Sequence, residues 1–246
     1  MKKVKKPAIA INNPAGYKFL LFISMLYMSI MLLNAVLTNR YIGTDSFFLL
    51  GGVFVSPFLF ILDDIIAEIY GYKITRTVIL SGFIGQTLFA LISQLAVIAP
   101  YPASFKEAHS YAYILGPTLL RIDFSGFIAY FIANLVNSYI LTRWKVLLKG
   151  RRFWLRSLGS STFSEALYSL IAVVMIEINA IPLNNLIKII LVVYSVKALT
   201  SIIFSFPAQF FVTYIKKRIG IDVYDLPKKF TPAQSARYFN KDESDE

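Results

Sequence analysis

Three acidic residues, Asp63, Asp64 and Glu68, lie inside the stretch SFFLLGGVFVSPFLFILDDIIAEIYGYKITR, residues 46–76, whose first half is apolar enough to enter a bilayer. A carboxylate at the centre of a membrane helix costs roughly 2.5–3.5 kcal/mol on insertion scales and less near an interface, so several on one segment need a partner or a purpose. Asp64 and Glu68 are four residues apart. On a helix that spacing puts both side chains on one face about one turn from each other. Such a face can line a polar cavity. There it would accept a proton, or hold the ring N–H and exocyclic amine of a flat heterocycle through its paired oxygens. Amides suit a neighbouring carbonyl, and the aromatic residues, 15% of the chain, offer stacking partners.

Further polar groups lie in the other apolar runs: Asn34 in the first, Arg121, Asp123, Asn134 and Asn137 in the fourth, Glu165 in the fifth and Lys197 near the centre of the last. Asp64, Glu68, Asn134, Asn137, Glu165 and Lys197 are expected to reach one site, with Arg121 and Asn34 nearer the opposite face as an outer gate. A plainer arrangement would neutralise the charges pairwise, Lys197 with Asp64 or Glu165 and Arg121 with Asp123. Acidic groups outnumber basic ones in the cluster, so at least one carboxylate is expected to lack a fixed partner. AYFIANLVNSYI from Ala129 and SSTFSEALYSLI from Ser160 echo one another, with Asn134 over Glu165 and Asn137 over Tyr168, as internal repeats do in transporters.

The elements that must position these residues follow from composition. Of 246 residues 57% are apolar and only 16% charged. With a mean hydropathy of +0.61, this is a membrane composition. Apolar runs at about 17–37, 46–70, 77–98, 118–141, 160–178 and 186–215 predict an all-α integral membrane protein, a bundle of about six transmembrane helices. Residues 1–16 form a basic start, 17–218 the transmembrane domain and 219–246 a polar tail without packed structure. The first run is too long for a signal-peptide core and stays attached. Pro57 and Gly51-Gly52 predict a broken or kinked second helix. RWKVLLKGRRFWLRSLG reads as a segment lying along the interface, anchored by Trp144 and Trp154. There is no cysteine and one histidine, His109, so thiolate and multi-histidine metal sites are excluded and no cofactor is expected.

The net charge of +11 does not point to nucleic acid, because the basic residues cluster between apolar runs. Lys2, Lys3, Lys5, Lys6, Lys73, Arg76, the six basic residues from Arg143 to Arg156, and Lys216, Lys217 and Arg218 all fall on one side, against Arg40 and Lys106 on the other. An even number of spans gives this alternation, and it puts both termini in the cytoplasm. The expected partners are the lipid bilayer and a small purine-like molecule, with the oligomeric state open.

LDDIIAEIYGYK, following Pro57, resembles the signature of the queuosine precursor transporters, also called the vitamin uptake transporter family: Asp64, Glu68, then Tyr70-Gly71-Tyr72-Lys73. Asn34 with Asn39-Arg40, Arg121 at the start of the fourth run, RRFWLRSLGSSTFSE, Lys197, Pro207 and IKKRIGIDVYD resemble further family features in the same order. The resemblance implies a multi-pass protein of the bacterial inner membrane, not an enzyme. It would import a deazaguanine base (preQ0, preQ1 or queuine) by secondary transport, with Asp64 and Glu68 as substrate or proton-linked residues. The family tends to place Gln and Asp three apart in spans four and five, where this chain has Asn134 with Asn137 and Glu165 with Tyr168. That departure leaves the identity of the heterocycle open. Two other readings are a substrate-binding subunit of an ATP-driven vitamin importer and a membrane enzyme acting on lipid or prenyl groups. The second lacks an aspartate-rich metal motif.

Overall fold

The carboxylate-bearing helix, α2 (Ser56–Tyr70), is the most enclosed element of the protein. The computed structural model describes residues 13–44, 47–148, 152–177 and 182–223. Residues 1–12 of the basic start, 45–46, 149–151 with two members of the basic cluster, 178–181 and the tail from 224 lie outside the described residues. Around α2 stand α1 (Pro14–Thr38), α3 (Tyr72–Ile98), α5 (Pro117–Leu147), α6 (Phe153–Glu177) and α7 (Leu183–Ile219), with a short α4 (Ala108–Leu115) between α3 and α5. Five segments among the described residues are long and apolar enough to cross a membrane: α1, α3, α6, α7 and Ala108–Asn134, which joins α4 to the first part of α5. With α2 they make the bundle of six that the apolar runs predict.

At 15 residues, α2 is about 22 Å long, short of the roughly 30 Å hydrocarbon thickness. The rest of the depth is made up differently from the single span expected. β1 (Tyr41–Thr44) and β2 (Phe47–Leu50) form an antiparallel hairpin with Tyr41 opposite Leu50. A buried 3-10 turn over Gly51–Phe54 then leads into α2. Pro57 is therefore no kink. It sits in the first turn of α2, where its missing N–H costs nothing. At the other end Gly71, at φ 83°, stops α2, and α3 begins at Tyr72. The chain reverses there with no loop, because a glycine accepts a backbone that other residues resist.

Burial is inside-out. Asp63, Asp64 and Glu68 of α2 are buried, as are Ile65, Ile66 and Ile69 beside them. Large apolar side chains on the outer helices are exposed instead, among them Phe22, Met25, Ile84, Leu95 and Phe210. In water such a surface would drive association, whereas in lipid it is the solvated face.

The two ends of the bundle differ. At one end α1, α2, α6 and α7 meet: Tyr70 donates to the Gly16 carbonyl at 2.6 Å, and Val223 N–H donates to the Ile69 carbonyl at 3.2 Å. At the other end, Asn39 donates to the Tyr113 carbonyl at 2.7 Å. The basic aromatic segment does not lie flat as expected. Arg143 to Leu147 continue α5, Phe153 begins α6, and Trp154 stacks on Phe206 of α7 at 4.9 Å. Trp144 lies against Gly159, where an added Cβ would come within 2.3 Å of its ring.

Candidate functional site

The polar side chains that the sequence singles out fall into two layers, not around one point. The first layer lies near the Tyr70 end of α2. Asp64 and Glu68 share a helix face, as their spacing requires, but they have different partners. Asp64 accepts from Asn137 of α5 at 2.9 Å, from Ser161 of α6 at 3.0 Å, and from Ser157 of α6. Its oxygens are taken by neutral donors. Glu68 forms a two-pronged pair with Arg156, both bonds 3.0 Å long, and meets Lys216 of α7 at 2.6 Å. Lys216 also holds Asp222 at 2.7 Å. Arg156 is fully buried, so this arginine–carboxylate fork ties α2 to α6 with no water around it.

Arg156 is the buried charge that sequence reasoning misplaces. Counted among the loop charges, it lies one turn inside α6. A signal for it exists: Ser157, Ser160, Ser161, Ser164 and Ser169 recur at helical spacing on α6 and are all buried. A seam of small hydroxyls lets helices approach closely, and this one runs back to Arg156.

The second layer lies about two turns farther along α6. Glu165 accepts from Ser201 of α7 at 2.7 Å through Oε1, while its Oε2 has no hydrogen-bond partner among the described residues. Lys197 of α7 stands 4.0 Å above the centre of the Tyr168 ring. No ion pair within 4.0 Å joins it to a carboxylate among the described residues; its attraction to Glu165 acts over a longer distance. Arg121 is exposed and is not the partner of Asp123. The latter, buried on α5, accepts from Gln86 at 2.7 Å and Thr87 at 2.9 Å on α3. Asn134 is buried on the same helix. Asp63 is buried beside the phenol of Tyr27.

Above this layer, toward the hairpin, the helices part. One hollow is lined by Asn34, Gly52, Ser56, Tyr168, Ser169 and Lys197, among others. Three of the six buried polar atoms without a hydrogen-bond partner among the described residues border it: Asn34 Oδ1 from α1, Ser56 Oγ from α2 and Ser169 Oγ from α6. Buried polar atoms are nearly always paired, so these three leave hydrogen-bonding capacity turned toward one space. Gly52 is a requirement of this wall, since a Cβ there would fall 2.0 Å from Thr38 Oγ1 and 2.8 Å from Asn34 Oδ1. A second hollow adjoins it, walled by Tyr27, Phe83, Gln86 and Tyr130.

The hairpin borders the mouth of the first hollow, and Tyr41 ties it to α6 by donating to Glu177 at 3.0 Å. Burial, followed by the adjacent Glu177 carboxylate, pushes the Tyr41 phenol up to about 12, so it stays a donor. The internal echo does not superpose in role. Tyr168 lines the hollow, whereas Asn137 lies on Asp64. Among the described residues no three His, Cys, Asp or Glu side chains gather as metal ligands.

A model of the family described as "Putative vitamin uptake transporter" matches residues 50–212, from the end of the hairpin through most of α7. The "Queuosine precursor transporter" of Escherichia coli (strain K12) is 25% identical over 195 residues, covering 78% of this chain and 85% of that protein. No solved structure matches the chain.

Proposed function

We propose that this chain, which belongs to the vitamin uptake transporter family, imports a deazaguanine precursor of queuosine across the bacterial inner membrane by secondary transport. The observation that carries the reading is the hollow inside a lipid-facing bundle, with partnerless polar atoms from three helices and a buried ammonium group on its wall. The E. coli relative carries the name of a queuosine precursor transporter, which supports the substrate class.

In this reading Asn34 Oδ1 accepts an N–H of the heterocycle, Lys197 donates to a carbonyl or ring nitrogen, and Tyr168 stacks on the ring. Glu165, one turn from Tyr168, balances the Lys197 charge and offers Oε2 when the helices shift. Asp64, Asn137 and Glu68 act at the basic end, where Arg156 and Lys216 hold α2, α6 and α7 closed. In this reading the end rich in lysine and arginine is the cytoplasmic one, as the positive-inside bias favours, so the hollow faces outward and Arg121 stands at its approach. Passage inward then requires the Glu68 network to open while the hairpin end shuts.

The test is a strain that cannot make the precursor but still inserts it into tRNA. Expressing this protein at micromolar external precursor restores queuosine in tRNA. Absence of queuosine with the protein verified in the membrane overturns the substrate assignment.

A further inference from the structure

Of the three carboxyl groups on α2, two have partners and one has none. Glu68 is held by Arg156 and Lys216, and Asp64 accepts from Asn137 and two serines. Asp63, at the middle of α2, is 1% exposed, and neither of its oxygens has a hydrogen-bond partner among the described residues. The titratable groups that act on it are Asp64 of its own helix and Tyr27 of α1. Behind Tyr27 stand Tyr130 of α5 and Tyr168 of α6. Toward α2 the helix α3 turns Ile79 and Phe83, and α7 turns Ala208 and Val212, all in one buried apolar cluster. Glu165, the other buried acid with an unpartnered oxygen, differs in having Ser201 and the attraction of Lys197.

An anion in such a place bears the full cost of lost hydration with nothing to offset it, and a bound proton removes that charge. A hard metal cation would need several converging oxygens, whereas Asp63 has a single phenol beside it. A route for protons is also present. The Tyr27 and Tyr130 hydroxyls are 3.2 Å apart, and both side chains line the second hollow, a cavity of about 30 Å³. One water needs about 10–15 Å³, so there is room for a water or two. Hydroxyls both donate and accept, so cavity water, Tyr130, Tyr27 and Asp63 form a chain that can pass a proton. We propose that Asp63 is the proton-carrying group of this protein, and that a proton gradient, acid outside, drives import. This rests on the transport reading above and deepens it by naming the driving ion. In each cycle one Asp63 oxygen takes a proton from the hairpin side. The neutral acid lets the bundle close over it, and opening of the Glu68 network, farther along the same helix, releases that proton to the cytoplasm.

Purified full-length protein in liposomes, with the membrane potential held at zero, separates coupling from transport. Labelled preQ0 and labelled queuine serve as cargo, each compared with protein-free liposomes. With one proton per molecule, a medium one pH unit more acidic than the lumen supports about tenfold accumulation by wild type. A sodium gradient alone supports none. Asp63→Asn has the shape of the neutral acid and no proton to give up, so it exchanges label across the membrane at the wild-type rate but does not accumulate it. Wild-type accumulation by Asp63→Asn, loss of its exchange, or uptake driven by sodium overturns the assignment. If wild type exchanges label but does not respond to the pH gradient, this inference falls and the transport reading stands. If wild type moves neither label, both fall.

Discussion

Glu68 and Asp64 look equivalent in the sequence, yet only Glu68 is locked to cations. Removing one partner of a buried ion pair leaves an uncompensated charge, which costs about 3–5 kcal/mol. Glu68→Gln, which strips the fully buried Arg156 of this carboxylate while Lys216 keeps Asp222, should therefore lower the thermal unfolding midpoint sharply in detergent. Adding Arg156→Met should recover most of that loss, because the remaining group is neutral. A double variant no more stable than the single one would mean Arg156 acts through something other than Glu68. The carboxylates were legible because acidic residues stand out in an apolar run. Arg156 was hidden among the basic residues that flank it. Ser56 and Ser169 carried no mark at all, since serine is ordinary in membrane helices, and Tyr168 entered only as the counterpart of Asn137 in the echo. The two serines stand out because their hydroxyls lack partners, a property of packing alone.

At the scale of elements, the short α2 sets the arrangement. A 15-residue helix fits inside the bundle because the hairpin and 3-10 turn lead into it at one end and Gly71 turns the chain back at the other. Gly71 holds φ 83° and ψ 169°, a backbone region reserved almost wholly for glycine. Gly71→Ala should cost about 1–3 kcal/mol and loosen the Glu68 network along with it. Unchanged stability in a denaturation series would contradict this account of the turn. The long helices were readable from the sequence because lipid thickness fixes their length. The hairpin was not. Its two strands are four residues each, and its turn signal, Gly43-Thr44-Asp45-Ser46, sits inside what reads as a loop before a span. Pro57, read as a kink, marks a helix start for the same reason: the apolar run begins ten residues before the helix does.

At the scale of the molecule, the proposed inward transport requires the hairpin end to face out and the lysine- and arginine-rich end to face the cytoplasm. The chain has no cysteine, so single cysteines report topology without background. Thr44→Cys in the hairpin should react with an impermeant maleimide added to whole cells, and Lys73→Cys should react only after the membrane is opened. The reverse pattern would invert the bundle and put the hollow on the cytoplasmic side. The claim on which the account rests is that the hollow bounded by Asn34, Tyr168 and Lys197 holds the cargo. Accumulation of labelled queuine in proteoliposomes free of nucleoside triphosphate tests it most directly. Wild type should concentrate or exchange the label, while Asn34→Ala and Lys197→Met, reconstituted in equal amounts, should fall at least about tenfold, the loss of one charged or well-buried hydrogen bond. Wild-type rates in both variants would contradict the account.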